Sequence, residues 1–355
     1  MTNTHAIAFV AGRSGGHILP GLSLAQKFCT QHPENPILFF STTHKLDMQI
    51  VGQTSLNVEN IFFSLDNVPY KNPFKMLRFI YHFTYAYIKS LRVLHKKKVV
   101  KVVSMGGYIS IPVCLAAWAL RIPIELYELN VTPGKATRFL SRFANSISVC
   151  FDETKKYIKN VQCAKKEYPL LQTHQVRQNC ESAKAALGLA PHKKVIFITG
   201  GSQGSVSINN HIKQWLSFNA HVHSLVQIIH QTGSQDTTDW AALYKSYDIN
   251  AITFTYHNNL SQFYNAADVI VCRAGAGSLF EAVYFEKPCV VIPLETRATD
   301  HQKYNAQAIA QQYPSQFSVV LESHIKRNNT LFFSALNKHV LSNHPRVIET
   351  TSLSA

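Results

Sequence analysis

Four short glycine-bearing segments are the parts of this sequence best suited to binding an anion. Each follows an apolar run and precedes a segment of helical length. Glycine lets a ligand approach main-chain N–H groups closely, and the helix that follows presents its positive dipole end. Four copies, two in each half of the chain, favour phosphate binding over a purely structural role. They are residues 12–17 (GRSGGH), 104–108 (SMGGY), 200–205 (GGSQGS) and 273–278 (RAGAGS).

His17 ends the first glycine segment, where a helix is predicted to begin. The positive end of the helix dipole disfavours a protonated imidazole, so the ring stays neutral, as a general base requires. A histidine that only hydrogen-bonds at the start of a helix is the alternative.

Glu281 lies about one turn into the helix that we expect to start near Ser278, after the fourth segment. One ionised carboxylate can accept hydrogen bonds from both hydroxyls of a ribose. A first-turn glutamate that complements the helix dipole is the alternative.

Length and charge restrict the possible functions. A chain of 355 residues predicts two domains. The 35 basic residues against 20 acidic ones give a net charge of +15, which favours an anionic partner. No recognised nucleic-acid-binding module accompanies this charge, so we expect no nucleic acid partner. The first apolar run is short, and we expect neither a signal peptide nor a membrane-spanning anchor.

Seven scattered cysteines without a C-x-x-C motif predict reduced core residues in a cytosolic protein.

Short β-branched or aromatic runs alternate with segments of helical length, which predicts an α/β protein with parallel sheets. We expect an N-terminal domain over residues 1–174, a C-terminal domain over residues 175–340 and a polar tail over residues 341–355. The polar passage 160–194 is interpreted as an irregular domain connection. The predicted strands are residues 6–10, 37–40, 99–105, 122–127 and 146–151, then 195–199, 225–230, 252–256, 269–272 and 288–293.

Residues 72–98 predict a long amphipathic helix, opened by Asn72 as a cap and by Pro73. At about 100° per residue, one face is apolar and the opposite face is basic. A second flank places aromatic side chains beside the basic stripe, which suits the interface of an anionic membrane. Core packing with a solvated basic face is the alternative. The expected core face is Met76, Ile80, Phe83, Tyr87, Leu91 and Leu94, and the expected membrane residues are Phe74, Lys75, Arg78, Tyr81, Tyr85 and Trp118.

Several segments together resemble the MurG family, transferases that add N-acetylglucosamine to lipid I and so make lipid II for peptidoglycan. The resemblance runs in order from about residue 5 to residue 310. It implies a GT-B architecture, in which two Rossmann-like domains face each other across a cleft. The acceptor would bind the N-terminal domain and the sugar nucleotide the C-terminal one. The segments are GRSGGHILPGLSLA, SMGGYISIPVCLAAWALRIPIELYELN, GGSQGS, VIVCRAGAGSLFEA and DHQKYNA.

The resemblance also implies roles for individual residues. Glu281 would bind the ribose, Arg177 and Ser202 the diphosphate, and Tyr256 with His257 the uracil. Asn130 would hold the transferred sugar, with Gln302 and Asn305 nearby. The family favours His17 as the base, and Glu128 is the second candidate. The UDP-N-acetylglucosamine set is Ser14, Gly15, Gly16, His17, Asn130, Arg177, Ser202, Tyr256, His257, Ala276, Gly277, Ser278, Glu281 and Gln302, and the acceptor set includes Gly106, Gly107 and Tyr108.

The sequence holds no D-x-D motif, so Arg177 and the helix N-termini are left to stabilise a departing diphosphate. We therefore expect no bound metal and no other cofactor. The resemblance implies UDP-N-acetylglucosamine and lipid I as substrates, with other cell-wall synthesis proteins as further partners. It also implies a peripheral location on the cytoplasmic face of the inner membrane.

The sequence departs from the family pattern at three places. Arg13 replaces a glycine, which requires either a negative φ or a phosphate contact from the arginine. Tyr127 replaces the histidine of the family's H-E-x-N, and HQVR (174–177) replaces N-P-V-R. Another GT-B lipid glycosyltransferase, a UDP-N-acetylglucosamine epimerase and a catalytically silent nucleotide-sugar binder remain alternatives.

Overall fold

The computed structural model describes residues 5–13, 15–54, 56–65, 69, 73–159, 161–171, 176–201, 203–296 and 300–342. These residues form two parallel β-sheets flanked by helices. The α/β class predicted from the sequence is confirmed.

The first sheet is built from seven strands of the described residues, in the order β3-β2-β1-β4-β5-β6-β7. All of its strand pairs are parallel. The strands are β1 (Ala6–Val10), β2 (Ile37–Thr42), β3 (Glu59–Phe63), β4 (Val99–Ser104), β5 (Ile124–Glu128), β6 (Ser146–Val149) and β7 (Gln162–Lys165). The helices are α1 (Gly15–Gln31), α2 (Lys45–Gly52), α3 (Pro73–Lys96), α4 (Ser110–Ala119) and α5 (Lys135–Leu140), with a 3-10 helix at Asp152–Tyr157.

The second sheet has six strands in the described residues, in the order β10-β9-β8-β11-β12-β13, again all parallel. The strands are β8 (Lys194–Thr199), β9 (Val226–Gln231), β10 (Ala251–Phe254), β11 (Val269–Cys272), β12 (Cys289–Val291) and β13 (Phe317–Val319). The helices are α6 (Cys180–Ala186), α7 (Val206–Phe218), α8 (Trp240–Ser246), α9 (Ser261–Ala266), α10 (Ala276–Tyr284), α11 (Asp300–Gln312), α12 (Glu322–Arg327) and α13 (Thr330–Val340), with a 3-10 helix at Ala220–Leu225.

The strand order explains why the four glycine segments can act together. Within each sheet the chain first builds outward in one direction and then reverses, between β1 and β4 in the first sheet and between β8 and β11 in the second. Open α/β sheets bind ligands at the carboxyl ends of the strands beside such a reversal. The four segments follow β1, β4, β8 and β11, which are the strands that flank the two reversals.

The central strands are buried on both faces because helices cover both sides of each sheet. Every residue of β2, β9 and β11 is buried. Parallel sheets of this kind require nearly continuous apolar runs, which is why these strands were predictable from the sequence.

Three strands were not predicted, and the interpretation of residues 160–194 as irregular was wrong. That passage contains β7 and α6. Strand β7 (QCAK) is a mostly exposed edge strand, so its sequence lacks the apolar run of a buried strand. Strands β3 and β13 are also sheet edges, and β13 has three residues. The predicted boundary between residues 174 and 175 lies outside the described residues.

Helix α3 extends beyond the core that anchors it. Ala86, Ser90 and Leu94 are fully buried, but no described side chain of α3 before Ala86 is. The expected core role of Ile80 was wrong, because its side chain is 53% exposed. No helix of the described residues has both the length and the apolar composition needed to cross a bilayer.

Candidate active site

A cavity of about 310 Å³ lies between the carboxyl edges of the two sheets. The N-terminal domain contributes Gly15, Gly16 and His17, at the start of α1. The C-terminal domain contributes the start of α10, residues 275–278, and Glu281 one turn later. Two helix N-termini from different domains therefore open into one space, where both can act on the same anionic ligand.

The first glycine segment is held by Asp47, a buried residue of α2. The Arg13 N–H donates to Asp47 Oδ2 at 2.7 Å, and the Thr42 hydroxyl donates to the same oxygen. A Cβ on Gly12 would stand 3.1 Å from that oxygen, so a larger residue there would crowd Asp47. Arg13 has φ +69°, so the option of a negative φ at this position was wrong. Sequence reasoning missed Asp47, since nothing local distinguishes it from other acids in a first helical turn.

His17 is half-buried at the start of α1. Burial lowers the pKa of His17 below its ordinary value, and the charge of nearby His301 lowers it further, while Asp47 raises it. The imidazole is therefore neutral at neutral pH and can accept a proton. His301 lines the cavity from α11, and the sequence analysis had not proposed it.

Glu128 is not placed to act on a ligand, and its candidacy as the base is corrected. The carboxylate is 4% exposed at the end of β5. Its oxygens accept hydrogen bonds from the main-chain N–H groups of Asn130 and Gly134, at 3.1 and 3.0 Å. Burial raises the pKa of Glu128, opposed by these hydrogen bonds. The residue shapes the turn between β5 and α5 and does not line the cavity.

Asn130 lines the cavity, and Asn305 holds it there. Asn305 Nδ2 donates to Asn130 Oδ1 at 3.0 Å and to the Ala274 carbonyl at 3.2 Å. Its Oδ1 accepts from the Val131 N–H at 2.9 Å. Asn305 is completely buried, so it bridges the two domains rather than contacting a sugar.

The start of α10 forms the C-terminal wall of the cavity. The helix begins at Ala276, two residues before the predicted start, with Gly275 as its cap. Apart from its chain neighbours, no atom of the described residues would lie within 4 Å of a Cβ on Gly275, so none of them crowds this position. Burial raises the pKa of Glu281 to about 7, opposed by a hydrogen bond from the Tyr264 hydroxyl at 2.9 Å. A sugar hydroxyl that donates to Glu281 would favour its ionised form.

Arg273 joins the two glycine segments of the C-terminal domain. Its guanidinium donates to the Ser205 hydroxyl at 2.8 and 3.1 Å and pairs with Glu322 at 2.7 Å. Ser205 in turn caps α7. Both members of the ion pair are buried, so removing either one would leave an uncompensated charge. Arg273 therefore fixes the loop after β8 against the loop after β11.

The two glycines of the second glycine segment lie beside the first segment. Gly106 and Gly107 have φ near +80°, a region that favours glycine. A Cβ on Gly107 would stand 3.5 Å from the carbonyl oxygen of Gly12. Tyr108, half-buried, follows them without lining the cavity.

The exposed surface of α3 carries most of the predicted membrane residues. Phe74, Tyr81 and Tyr85 are 83%, 68% and 52% exposed, and Lys75 and Arg78 lie exposed among them. Leu77, on the same flank of α3, is 67% exposed. Trp118, 56% exposed on α4, contacts Phe143 edge to face.

Among the described residues, no group of three His, Cys, Asp or Glu side chains is arranged to hold a metal ion.

Comparison with known proteins places this architecture in a family. Residues 7–149 match the glycosyltransferase family 28 N-terminal domain, and residues 195–320 match the glycosyltransferase family 28 C-terminal domain. A Protochlamydia amoebophila protein is 32% identical over 302 residues, covering 83% of this chain and 78% of that protein. It is named UDP-N-acetylglucosamine–N-acetylmuramyl-(pentapeptide) pyrophosphoryl-undecaprenol N-acetylglucosamine transferase. This chain belongs to the MurG family.

Solved structures confirm the GT-B fold. The crystal structure of Acinetobacter baumannii MurG matches with a TM-score of 0.70 at 23% identity, covering 95% of this chain and 92% of that one. A UDP-GlcNAc 2-epimerase from Neisseria meningitidis matches with a TM-score of 0.64 at 13% identity, covering 94% and 90%. The fold is thus shared with enzymes of other activities, and the family assignment depends on sequence.

Arg177 departs from the position expected by resemblance to the MurG family. Its guanidinium pairs with Glu286 at 3.0 Å, donates to the Tyr284 carbonyl and lies over the Tyr284 ring. These partners are at the C-terminal end of α10, whereas the diphosphate is expected at its N-terminal end. The predicted contact between Arg177 and the diphosphate is therefore corrected.

Gln302 is also not among the residues that line the cavity. Its Oε1 accepts the Leu294 N–H at 3.0 Å, which ties α11 to the segment after β12. The contact between Gln302 and the sugar stays a prediction.

The remaining MurG-like positions divide into three groups. Tyr256 and His257 line the cavity, and their contact with the uracil stays a prediction. Ser14 and Ser202 lie outside the described residues. Tyr127, which replaces the family histidine, is buried on β5, and its hydroxyl accepts a hydrogen bond from Lys166 at 3.4 Å.

Proposed function

We propose that this chain transfers N-acetylglucosamine from UDP-N-acetylglucosamine to the C4 hydroxyl of lipid I, with inversion and without a bound metal. Lipid I is undecaprenyl-pyrophosphoryl-N-acetylmuramoyl-pentapeptide, and the product is lipid II. The observation that carries the proposal is the single cavity into which His17 and the N-terminus of α10 open from opposite domains. Membership of the MurG family selects this reaction among those the fold supports.

The two walls of the cavity have different roles in this reaction. The free N–H groups at the start of α10 would bind the diphosphate and stabilise its charge as the glycosidic bond breaks. Glu281 would accept hydrogen bonds from the ribose, and Tyr256 with His257 would enclose the uracil. Asn130, fixed by Asn305, would hold the transferred sugar.

His17 is the proposed general base. It faces the cavity from the N-terminal domain, which would carry the acceptor, and its lowered pKa keeps the imidazole neutral. The base would thus approach the sugar from the domain opposite the departing diphosphate, as inversion requires.

The exposed aromatic and basic surface of α3 supports peripheral binding to an anionic membrane, where lipid I resides. Apolar side chains that enter the interface and cations close to it both contribute to such binding. We place the enzyme on the cytoplasmic face of the inner membrane, because UDP-N-acetylglucosamine is a cytoplasmic substrate in the proposed reaction.

The test is release of UDP from UDP-N-acetylglucosamine in the presence of a soluble lipid I analogue. We expect turnover, and we expect His17→Ala to lower kcat about 1000-fold, since a general base contributes about 100- to 10,000-fold. His192→Ala, at an exposed loop position, is the matched control and should retain activity. Binding of the sugar nucleotide without UDP release would contradict the proposal and favour the catalytically silent alternative.

A further inference from the structure

We propose that the Tyr168 hydroxyl donates a hydrogen bond to the diphosphate of the sugar nucleotide, in the place that Arg177 was expected to fill. The inference rests on the proposed function, since it assumes a nucleoside diphosphate at the start of α10. It assigns a substrate-binding role to a residue in the segment that connects the two domains.

The connecting segment is the chain between β7 and α6, and its described part borders the cavity. Tyr168, Pro169, Leu170 and Leu171 all line it, together with Gly275, Ala276 and Gly277. The Ser23 hydroxyl donates to the Leu170 carbonyl at 2.7 Å, which fixes the segment to α1. The contact with α1 thereby holds the Tyr168 side chain against the start of α10, in the C-terminal domain.

The Tyr168 ring is held in position by aromatic packing. It stacks on Phe280 of α10 with ring centroids 5.0 Å apart and planes 16° apart. Phe280 in turn contacts Phe151, also at 5.0 Å between centroids. A stacked ring has little freedom to rotate, so its hydroxyl points in a defined direction.

The hydroxyl lies against the first turn of α10. A Cβ on Gly277 would stand 3.3 Å from the Tyr168 hydroxyl oxygen, so the absence of a side chain at Gly277 permits this approach. An anion bound by the free N–H groups of this turn would also be within reach of the hydroxyl.

The hydroxyl is available as a donor. Burial raises the pKa of Tyr168 well above its ordinary value, and the charge of Glu281 acts in the same direction. The phenol therefore keeps its proton. Tyr168 is half-buried, and its hydroxyl makes no hydrogen bond to any residue that the structure describes, so it can donate to a charged acceptor in the cavity.

The test compares UDP with uridine as ligands of Tyr168→Phe. The substitution keeps the ring stacked on Phe280 and removes only the hydroxyl. We expect the Kd for UDP, measured by calorimetry, to rise about tenfold, which corresponds to about 1.4 kcal/mol. Uridine, followed by ligand-observed NMR, should bind equally to both proteins because it has no phosphate. Tyr313→Phe, which alters a tyrosine at the far end of α11, should leave both affinities unchanged.

A second variant tests the approach over Gly277. Gly277→Ala places a methyl group against the hydroxyl and should also weaken UDP binding. In the Tyr168→Phe background, Gly277→Ala should raise the Kd for UDP by a smaller factor, because the hydroxyl oxygen that the methyl group would displace is absent.

The outcomes separate the inference from the function on which it rests. An unchanged Kd for UDP in Tyr168→Phe, or an equal loss of UDP and uridine, would overturn the inference and leave the proposed function standing. Failure of the unaltered protein to bind UDP would overturn both.

Discussion

Asn305 of α11 donates a hydrogen bond to Asn130, which follows β5, and the two side chains join the domains beside the cavity at 3.0 Å. The bridge sets the position of the residue proposed to hold the sugar. Because Asn305 is also bonded to Val131 and Ala274, one buried amide fixes a loop of each domain.

Replacement of this amide should destabilise the folded chain. Asn305→Ala leaves the Val131 N–H, the Ala274 carbonyl and the Asn130 amide without their partner, and an unsatisfied buried group costs about 1–3 kcal/mol. We expect the free energy of unfolding, measured by urea denaturation, to fall by about 3 kcal/mol. Gln307→Ala, on an exposed position of the same helix, should change it by less than about 0.5 kcal/mol. Equal stability of the two variants would show that the bridge contributes nothing.

The pH dependence of turnover should report the interaction between His17 and His301. The charge of His301 lowers the pKa of His17, so His301→Gln should raise that pKa. Since the base must be neutral, the acid limb of kcat/KM should move to higher pH in this variant. The measurement is the pH profile of kcat/KM with saturating acceptor, supported by NMR titration of the His17 ring. An acid limb that stays in place, or moves to lower pH, would contradict the assignment.

Glu281 should make opposite contributions to stability and to binding. Its folded-state pKa of about 7 exceeds the ordinary glutamate value, so folding is penalised at pH above 7 and the penalty disappears as the pH falls below about 4.5. Glu281→Gln should therefore raise the free energy of unfolding by about 3 kcal/mol at pH 8 and leave it unchanged near pH 4. The same variant should bind UDP more weakly at pH 8, because a neutral amide is a weaker acceptor for ribose hydroxyls than a carboxylate.

Urea denaturation at both pH values and calorimetry with UDP provide the measurements for Glu281. Equal unfolding free energies of the two proteins at pH 8 would show that the carboxylate is not penalised by burial. Unchanged UDP affinity would remove Glu281 from the ribose site.

The surface of α3 should control membrane binding without affecting the fold. Phe74→Ser, Leu77→Ser and Tyr81→Ser combined remove three side chains that are more than 60% exposed. We expect partitioning onto phosphatidylglycerol vesicles to fall at least tenfold and to weaken further with added salt, while the thermal unfolding midpoint stays within about 2 °C. Phe218→Ser, which alters an equally exposed aromatic residue of the C-terminal domain, is the control and should bind like the unaltered protein. Reduced binding of the Phe218 variant alone would place the membrane surface elsewhere.

The sequence predicted those parts of the site that depend on local chemistry. The four glycine segments, His17 and Glu281 are each recognisable within a few residues of a strand end, and the fold places them as the spacing indicates. The core strands were predictable because a parallel sheet requires continuous apolar runs, whereas the polar edge strand β7 has no such run.

What the sequence did not predict depends on contacts between distant residues. Asp47 contacts Arg13 across 34 residues, and Asn305 contacts Asn130 across 175. Neither pairing has a local signal. Arg177 is the opposite case. Its residue type and its place in the chain suited a contact with the diphosphate, but Glu286 and Tyr284 bind its guanidinium at the C-terminal end of α10. The exposure of Ile80 has a similar cause, because periodicity identifies an apolar face of α3 but not whether anything packs against it.

The nine residues of α10 span about 12 Å, and the connecting segment touches the helix at both ends, through Tyr168 at the first turn and Arg177 at the last. A rotation of one domain relative to the other must displace this segment. When the cleft widens, the contacts of this segment at the start of α10 would weaken. Release of UDP and opening of the cleft would therefore occur together.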